Sequence, residues 1–399
     1  MLPATVVERA RAALKRHSLL TAVITFLFFA AMPFSGSSAM AAGEVSTSAK
    51  SYMLLEATTG RVLSEKNSDQ KLPMASTTKI MTCLLACELG DMKDVVTVGK
   101  ESVGLDGTSI YLKDGETITL KDLCYGLMLN SGNDAAMAIA VHLGGSQEGF
   151  AELMNKRAKE IGANNTNFVT PNGLPNDDHY TTAHDLALIA AEAMQNELFT
   201  KIVGTKSMTL EADEDSPIRY LKSKNKILYQ YDGGNGVKTG YTKAAGKCLV
   251  AGAKRDGMQL IAVVLNDYDM FNDCKKLLDY GFANYKWTDV TGDKYFENKV
   301  KIINGLEGTA DVEQMEDIYL PLSKEDSKIE KKYEIYEGIN APVEKGARVG
   351  TAKYILNGEV VKKVPLYLAQ SVEENTWSYW LGRILQDWLG TKGKELRVT

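Results

Sequence analysis

Residues 73–82 read PMASTTKIMT, which places Ser76 and Lys79 three positions apart at the start of a predicted helix. The helix is predicted because Ile80–Leu89 is rich in Leu, Met, Ala and Cys and is followed by Gly90, a common stop signal. Residues i and i+3 share one face of a helix, so the Ser76 hydroxyl and the Lys79 amine are expected to meet.

This pairing suits nucleophilic catalysis, since a free Ser hydroxyl needs a base beside it. Burial and the positive end of a helix dipole both disfavour a charged Lys, and a neutral amine can accept the Ser proton. Two further Ser-x-x-Lys matches, Ser68–Lys71 and Ser223–Lys226, lie in polar stretches with no helical run directly behind them. The alternative interpretation of Ser76 is a simple helix cap.

A second motif, Ser131-Gly132-Asn133, lies between two predicted helices. A short loop there can direct both polar side chains into one cleft, with Ser131 relaying a proton and Asn133 holding a substrate amide. The alternative is that Asn133 only caps the helix predicted over Asp134–Leu143. The motif is weak alone, because Ser223-Lys224-Asn225 matches it as well.

A third motif, Lys238-Thr239-Gly240, occurs once and precedes a predicted hairpin. Lys and Thr side chains can bind a carboxylate, and Gly240 permits a substrate to approach the strand backbone closely. The alternative is a turn at the entry to the strand. The three motifs in this order, each in a fitting structural context, predict a serine acyl-transfer site.

The composition sets limits on the class of protein. The chain has 399 residues, 44% of them hydrophobic and 24% charged, which is typical of two or three globular domains. A net charge of −5 gives no support for nucleic-acid binding. The four His and five Cys show no metal-ligand spacing, so neither a metal site nor a cofactor is predicted. The cysteines are expected to be small core residues.

Residues 1–41 are predicted to be a secretory signal peptide. An apolar run over Leu19–Met32 is followed by the small-residue sequence Ala39-Met40-Ala41. Basic residues precede the run: Arg9, Arg11, Lys15 and Arg16. The alternative is an uncleaved anchor, and in both cases the body of the protein works outside the cytoplasm.

The pattern over residues 45–285 predicts an α+β domain, an antiparallel sheet flanked by helices. Two hairpins are predicted, Ser51–Leu55 with Gly60–Ser64 and Lys247–Lys254 with Met258–Leu265. Helices are predicted to begin after the capping residues Thr119 and Thr182, and another is predicted to start at Ser146. Strands that come as hairpins, with helices before and after, favour an antiparallel sheet over βαβ units.

Residues 290–370 are predicted to form a small all-β domain, since short strands alternate with turns. Residues 372–399 are different in character. They carry one apolar stripe at helical spacing, formed by Trp377, Trp380, Leu381, Ile384, Leu385, Trp388 and Leu389. The stripe fits either a helix docked on a core or an amphipathic helix lying in a membrane surface.

With these motifs the sequence resembles the penicillin-recognising serine enzymes, and most closely the low-molecular-mass D-alanyl-D-alanine carboxypeptidases. Residues 170–174, TPNGL, and 179–183, HYTTA, fit the pattern of that family too. The resemblance covers Ser51–Phe282 and extends to the β domain and the C-terminal segment. It implies a β-lactamase/transpeptidase-like fold acting on peptidoglycan stem peptides at the outer face of the cytoplasmic membrane, with β-lactams as inhibitors.

The resemblance also implies roles for the reacting groups. Ser76 would attack the carbonyl between two terminal D-alanines, and Lys79 would act as its base. The backbone N–H groups of Ser76 and Tyr241 would form the oxyanion hole. Ser131 would pass a proton to the leaving amine. Water would then hydrolyse the acyl-enzyme, whereas a β-lactam would acylate Ser76 and leave slowly.

The remaining motif residues would bind the substrate. Asn133 would position the peptide, while Lys238 and Thr239 would hold the carboxylate of the leaving D-alanine beside Gly240. Some members of the family carry an Arg near that carboxylate, but Leu265–Asp269 contains none. Carboxylate binding would then depend more heavily on Lys238 and Thr239.

Other functions fit the same three motifs. An endopeptidase acting on cross-links would use the same chemistry, and the sequence leaves it open. A β-lactamase would deacylate penicillin fast, but the loop Asn164–Asp178 lacks a Glu to activate the deacylating water. A non-catalytic penicillin-binding scaffold would share the fold without the chemistry, which the intact motifs argue against.

Overall fold

The computed structural model describes residues 44–211, 217–292 and 295–388. The predicted signal peptide and residues 389–399 of the predicted anchor lie outside the described residues. The chain divides into two compact units between Asn284 and Tyr285.

The first unit is built on one antiparallel sheet. The strands of this unit are β1 (Ser51–Glu56), β2 (Val62–Lys66), β3 (Val95–Thr97), β4 (Thr117–Thr119), β5 (Ser207–Leu210), β6 (Arg219–Lys222), β7 (Gly234–Thr242), β8 (Gly246–Arg255) and β9 (Met258–Leu265). Five of them form the central sheet in the order β2-β1-β9-β8-β7, and every neighbouring pair in it is antiparallel. Strand β7, which carries the third motif, is therefore an edge strand of this sheet.

Helices cover both faces of the central sheet. They are α1 (Lys79–Leu89), α2 (Leu120–Leu129), α3 (Asn133–Gly144), α4 (Gln147–Ile161), α5 (Ala183–Ala193), α6 (Glu197–Val203), α7 (Ile227–Gln230) and α8 (Met270–Asn284). Successive side chains of a strand point to opposite faces. Met53 and Leu55 of β1 join the core that contains α1, whereas Leu54 lies against Gly281 of α8.

This architecture confirms the predicted α+β class, and the local signals behind it are visible. Thr119, Ser146 and Thr182 each accept a hydrogen bond from the backbone N–H three residues later, as helix caps do. The second strand of the first hairpin, Val62–Lys66, lies two residues later than predicted, because the turn extends through Arg61.

The second unit is mainly β-structure, as predicted. Its strands are β10 (Lys286–Asp289), β11 (Tyr295–Ile303), β12 (Thr309–Glu313), β13 (Tyr319–Leu322), β14 (Glu330–Ile335), β15 (Ile339–Asn340), β16 (Arg348–Leu356) and β17 (Glu359–Leu368). Six of them form a sheet in the order β14-β16-β17-β12-β11-β15. Tyr354 and Leu366 are among the fully buried residues of its core.

A last helix, α9 (Trp377–Trp388), follows the β-strands and presents the predicted apolar stripe. The stripe is exposed: Trp377 is 78% and Trp388 is 86% accessible to solvent. Within the second unit the described part of the stripe is therefore not docked on the core. None of the helices in residues 44–211, 217–292 and 295–388 is long and apolar enough to span a bilayer.

Candidate active site

Ser76 and Lys79 lie at the junction of two helical segments rather than in one helix. Ala75–Thr78 forms a 3-10 turn, and α1 begins at Lys79. The turn still brings the two side chains together, with Lys79 Nζ 3.1 Å from Ser76 Oγ. Ala75 has a left-handed backbone, with φ of 50°, a conformation that costs a non-glycine residue energy and is often found at functional sites.

Lys79 is fully buried and makes two shorter contacts besides the one to Ser76. Its Nζ lies 2.7 Å from Asn133 Oδ1 and 2.6 Å from the backbone oxygen of Asn172. Both oxygens can only accept hydrogen bonds. A neutral amine has two N–H groups and one lone pair, so its two hydrogens go to these acceptors. The lone pair is left for the Ser76 hydroxyl.

The surroundings favour this neutral form. The pKa of Lys79 is lowered well below its ordinary value, mainly by burial and next by the positive charge of Lys238. The sequence had pointed to burial and to the helix dipole. In the structure the second contributor is a neighbouring lysine from the third motif instead.

The second motif forms a strained connection between α2 and α3. Ser131 has a left-handed backbone, with φ of 64°, and its carbonyl accepts a hydrogen bond from Thr108. The prediction that Asn133 caps the next helix is wrong. Gly132 occupies the cap position without a side-chain hydrogen bond, and Asn133 is the first helical residue. Its amide is thereby free to bond Lys79 and the backbone oxygen of Asp106.

The third motif meets the second across the cleft. Lys238 is buried, and its Nζ donates hydrogen bonds to Ser131 Oγ at 3.0 Å and to its neighbour Thr239 O at 2.9 Å. Burial, with a smaller contribution from the charge of Lys224, lowers the pKa of Lys238 to about 7. Thr239 is partly exposed at the same edge of the sheet.

Gly240 permits strand β7 to pass close to the backbone of the 3-10 turn. A Cβ at this position would lie 3.0 Å from the backbone nitrogen of Ser76 and 3.1 Å from the carbonyl oxygen of Met74. We predicted that Gly240 lets a substrate approach the strand backbone, but the backbone of the 3-10 turn lies next to Gly240. Strand β7 thus runs directly beside the Ser76 N–H, and Tyr241, next along the strand, is 65% exposed.

The loop before α5 supplies acceptors that the motifs do not include. Its carbonyls at Pro171 and Asn172 accept hydrogen bonds from Thr82 and Lys79 of α1. A Cβ on Gly173, whose φ is 84°, would come within 2.0 Å of the Ala75 carbonyl oxygen. Only glycine allows this contact, so the TPNGL sequence is explained by how closely the loop packs against the turn.

His179 fixes this packing as a neutral side chain. Its Nδ1 accepts the backbone N–H of Val169 at 3.0 Å, so its proton is on Nε2. Nε2 lies 2.8 Å from Thr78 Oγ1, which itself donates to the Ala75 carbonyl. Burial, followed by the charge of Lys79, lowers the pKa of His179 to about 4.

Sequence reasoning missed the residues that support the second motif. Asp134 is buried, and its carboxylate accepts the backbone N–H groups of Ile110 and Leu112. Arg219 of β6 forms a buried two-fold ion pair with Glu116, at 2.7 and 2.8 Å, and also bonds the Ile110 carbonyl. The Arg219 contacts join residues about a hundred positions apart, and the Asp134 contacts join residues 24 and 22 positions apart. No short motif marks either set.

The competing motif matches serve other purposes. Ser68 donates its hydroxyl hydrogen to Glu65, and Asn225 Oδ1 accepts the backbone N–H of Ile227 at the start of α7. Lys71 and Lys226 lie over the rings of Tyr180 and Phe271, respectively, and neither pairs with its motif serine.

Comparison with known proteins agrees with this geometry. The profile of the family described as D-alanyl-D-alanine carboxypeptidase matches residues 38–269. The D-alanyl-D-alanine carboxypeptidase DacF of Bacillus subtilis (strain 168) is 35% identical over 375 residues, which cover 92% of this chain and 96% of that protein. The chain belongs to the D-alanyl-D-alanine carboxypeptidase family.

The family assignment extends over both units. The profile described as the C-terminal domain of penicillin-binding protein 5 matches residues 290–374. DacC of Escherichia coli (strain K12), another D-alanyl-D-alanine carboxypeptidase, is 32% identical over 93% of this chain and 97% of its own length. The crystal structure of penicillin binding protein 5 from Haemophilus influenzae has a TM-score of 0.69 and 29% identity, covering 83% of this chain and 99% of that one.

Lys224 is a positively charged residue near the site that does not belong to the three motifs. It is exposed, and its Nζ donates to the carbonyl of Asn130 at 3.1 Å, directly before Ser131. Among the described residues no carboxylate lies within 4.0 Å of it. Its charge contributes to the lowered pKa of Lys238. The loop Leu265–Asp269 carries no Arg, and Lys224 supplies a positive charge next to the second motif.

Proposed function

We propose that this protein is a serine-type D-Ala-D-Ala carboxypeptidase, which removes the terminal D-alanine from peptidoglycan stem peptides through an acyl-enzyme on Ser76. The observation that carries the proposal is the set of contacts at Lys79. Lys79 Nζ lies within 3.1 Å of three oxygens, those of Asn133 and Asn172 and the Ser76 hydroxyl. In a neutral amine the two hydrogens would go to the two pure acceptors, which would leave the lone pair for the Ser76 hydroxyl. This is the arrangement of an activated nucleophile and its base.

Acylation begins when Lys79 takes the Ser76 proton and Ser76 Oγ attacks the carbonyl carbon of the penultimate D-alanine. The carbonyl oxygen becomes an oxyanion, for which the N–H groups of Ser76 and Tyr241 are the donors. The close passage of Gly240 beside the Ser76 nitrogen supports this pairing. Each such donor contributes about 3–4 kcal/mol to transition-state stabilisation in serine peptidases.

Collapse of the tetrahedral intermediate breaks the C–N bond, and the leaving amine needs a proton. Ser131 supplies it, and Lys238, bonded to Ser131 Oγ at 3.0 Å, can return a proton to the serine. Lys238 and Thr239 hold the carboxylate of the departing D-alanine, and Asn133 positions the peptide. Water then attacks the ester on Ser76, and its proton passes to the Ser131–Lys238 pair. The C–O bond to Ser76 breaks, Lys79 returns its proton to Ser76 Oγ, and the shortened peptide leaves.

Penicillins present a strained amide and a carboxylate in a similar arrangement, so we propose that they acylate Ser76 as well. Fast deacylation of the kind that defines a β-lactamase is disfavoured. The loop Asn164–Asp178 contains no Glu that could activate a deacylating water. Its contact with Lys79 is the backbone carbonyl of Asn172. A non-catalytic scaffold is disfavoured by the connected network of the three motifs.

The test is D-alanine release from a peptide that ends in D-Ala-D-Ala, with wild type compared with Ser76→Ala. Release by wild type that vanishes in the variant supports the proposal. Ser68→Ala and Ser223→Ala are the controls, since both serines belong to the competing matches and should leave release unchanged. Release that survives in Ser76→Ala would contradict the assignment of the nucleophile.

We further propose a four-part organisation outside the cytoplasm. Residues 1–41 direct export, 45–285 carry out the reaction, and 290–370 form a spacer domain. Residues 372–399 attach the protein to the outer face of the cytoplasmic membrane. The exposed apolar stripe of α9 supports this last role, because Trp and Leu on one helical face favour the membrane interface.

A further inference from the structure

The peptide unit between Ala75 and Ser76 carries one donor of the proposed oxyanion hole, the Ser76 N–H, so this inference rests on the proposed function. A peptide unit is planar, and its N–H and C=O therefore point in directions that are fixed relative to each other. Ala75 has a left-handed backbone with φ of 50°, which persists only where the surroundings hold it. Whatever holds the Ala75 carbonyl thus sets the direction of the Ser76 N–H.

Thr78 and His179 hold this carbonyl through hydrogen bonds in series. Thr78 Oγ1 donates its only hydrogen to the Ala75 carbonyl oxygen at 2.8 Å. The same oxygen lies 2.8 Å from His179 Nε2 and accepts the hydrogen of that nitrogen. His179 Nδ1 in turn accepts the backbone N–H of Val169 at 3.0 Å. All the donors therefore point the same way along the series, from Val169 to the Ala75 carbonyl.

The series is closed to water. Thr78 is fully buried, and His179 is only 3% exposed. Gly173 covers the Ala75 carbonyl so closely that a Cβ on it would lie 2.0 Å from the carbonyl oxygen. Water therefore has no room to replace the Thr78 hydroxyl. Hydrogen bonds in series polarise one another, so a bond to this carbonyl strengthens the N–H of the same peptide unit as a donor.

We propose that His179 and Thr78 are positioning residues for the reaction, which direct and polarise the Ser76 N–H toward the oxyanion through the Ala75 carbonyl. Neither side chain exchanges a proton with the substrate. Their effect is greatest in the transition states, because the negative charge on the substrate oxygen develops there. Acylation and deacylation both pass through such an oxyanion, so both steps slow when the series is broken.

Two substitutions of His179 distinguish this role from simple attachment of the loop to the turn. His179→Gln keeps a donor at the place of Nε2, and His179→Asn keeps an acceptor for Val169 at the place of Nδ1. We expect His179→Gln to retain at least about half of the wild-type kcat for D-alanine release. His179→Asn should lower kcat about tenfold, which is less than the 10²- to 10³-fold effect of removing an oxyanion donor outright. Loop attachment alone predicts the reverse order.

Two substitutions of Thr78 test the next bond of the series. Thr78→Val removes the hydroxyl at nearly unchanged volume and should lower kcat about tenfold, with KM changed less than about twofold. Thr78→Ser keeps the hydroxyl and should recover most of this loss. A boronic acid analogue of acyl-D-alanine forms a tetrahedral adduct on the Ser76 oxygen, and one of its oxygens takes the place of the oxyanion. Its Ki should rise in Thr78→Val by about the factor that kcat falls.

Asn155→Ala is the matched control for a loosened loop. The Asn155 side chain bonds both the N–H and the carbonyl of Phe168, one residue before Val169. It therefore holds the same loop without belonging to the series. This variant should unfold at lower urea concentration than wild type, while its kcat and its Ki for the boronic acid stay within about twofold.

Three results would overturn the inference: an unchanged Ki in a folded Thr78→Val, a loss of kcat in Asn155→Ala as large as in Thr78→Val, or a higher kcat in His179→Asn than in His179→Gln. The His179 pair decides the question if Thr78→Val does not fold. Failure of the proposed function is a separate result, since folded wild type would then release no D-alanine at all.

Discussion

At the scale of single residues, the proton on Lys79 decides, in the proposed mechanism, whether Ser76 acts as a nucleophile. The amine is buried, its two shortest contacts are to pure acceptors, and a second lysine lies across the site. Burial and the charge of Lys238 both disfavour the ammonium form of Lys79, and the two acceptors would orient the hydrogens of a neutral amine. In the proposed mechanism this gives a base that is ready before substrate arrives, at the cost of burying two lysines, Lys79 and Lys238, in one cleft.

The first prediction concerns pH. Since Lys79 must be neutral to act, kcat/KM should be lost as the pH falls through its lowered pKa. On the alkaline side kcat/KM should fall as Lys238, whose pKa is lowered to about 7, loses the charge that holds the carboxylate. The acid limb should therefore lie far below the ordinary pKa of a lysine. Lys79→Arg, which stays charged, should reduce kcat/KM by about 10²- to 10⁴-fold at every pH tested. A variant with more than a tenth of wild-type activity would rule out Lys79 as the base.

The second prediction concerns Lys224, the additional cation beside Ser131. Lys224→Ala should raise KM for a substrate with a free terminal carboxylate by about two- to fivefold, as expected for an exposed charge. It should also move the acid limb of kcat/KM to higher pH, because the charge of Lys224 contributes to lowering the pKa of both Lys79 and Lys238.

The control is Lys222→Ala, which removes an exposed lysine two positions away whose backbone N–H still bonds Asn130. A pH profile that shifts equally in both variants would mean that the effect is one of net charge and not of position.

The motifs themselves could be predicted from the sequence, because helix geometry puts Ser76 beside Lys79 and family resemblance relates the other two motifs to them. The carbonyl of Asn172 and the ammonium of Lys224 could not. Every residue has a backbone oxygen, so the sequence does not show which of them enters the site. In the sequence, Lys224 was only the middle residue of the competing match Ser223-Lys224-Asn225. Contacts of this kind depend on how loops pack, which short-range patterns do not encode.

At the scale of secondary structure, the site depends on β7 lying against the 3-10 turn Ala75–Thr78. Helices with side-chain caps were predictable, because each capping hydrogen bond joins residues only three positions apart. The caps are Thr119, Ser146 and Thr182. The 3-10 turn was not, because its shape is set by the carbonyl contacts of the loop near Gly173 and by the close approach of Gly240.

The third prediction tests that approach. Gly240→Ala adds a Cβ 3.0 Å from the Ser76 nitrogen, so strand and turn must separate and the oxyanion donors move apart. Loss of one donor reduces kcat by about 10²- to 10³-fold in serine peptidases, and a comparable loss is expected here. Gly308→Ala is the control, since a Cβ there meets no atom within 4 Å. An unchanged kcat in Gly240→Ala would refute the proposed oxyanion hole.

The fourth prediction concerns the buried ion pair that joins β6 to the segment before α2. Arg219→Ala removes the cation that pairs with the buried Glu116 carboxylate. The free energy of unfolding of the first unit should therefore fall by about 3–5 kcal/mol. Urea denaturation measures this change.

The double variant Glu116→Leu with Arg219→Met is the matched control, because it removes both charges and keeps apolar volume. It should recover most of the lost stability. If Arg219→Ala costs less than about 1 kcal/mol, the pair does not support the fold in the way we describe.

At the scale of the whole molecule, the motif residues and the apolar stripe lie in different units. All the proposed reacting residues lie before Asn284, and the exposed apolar stripe lies in α9 of the second unit. The division into α+β and all-β parts was predictable from composition and strand spacing. Whether the stripe of α9 faces a core was not, because a stripe of Trp and Leu suits both environments.

The fifth prediction is that deleting residues 377–399 releases a soluble enzyme. The full mature chain should sediment with phospholipid vesicles, whereas the truncated chain should stay in the supernatant and release D-alanine at the same rate. Full-length protein with Trp377, Trp380 and Trp388 all changed to Ser should behave like the truncation. Vesicle binding by both altered proteins would place membrane attachment elsewhere in the chain.

The central claim is that Ser76 carries the acyl group, and the most direct measurement is the mass of the trapped intermediate. Wild type is incubated with a penicillin, denatured, digested, and mapped by mass spectrometry. We predict one adduct, on the peptide that contains Ser76, and its absence in Ser76→Ala. An adduct on another residue, or a folded wild type that takes up no penicillin, would contradict the account.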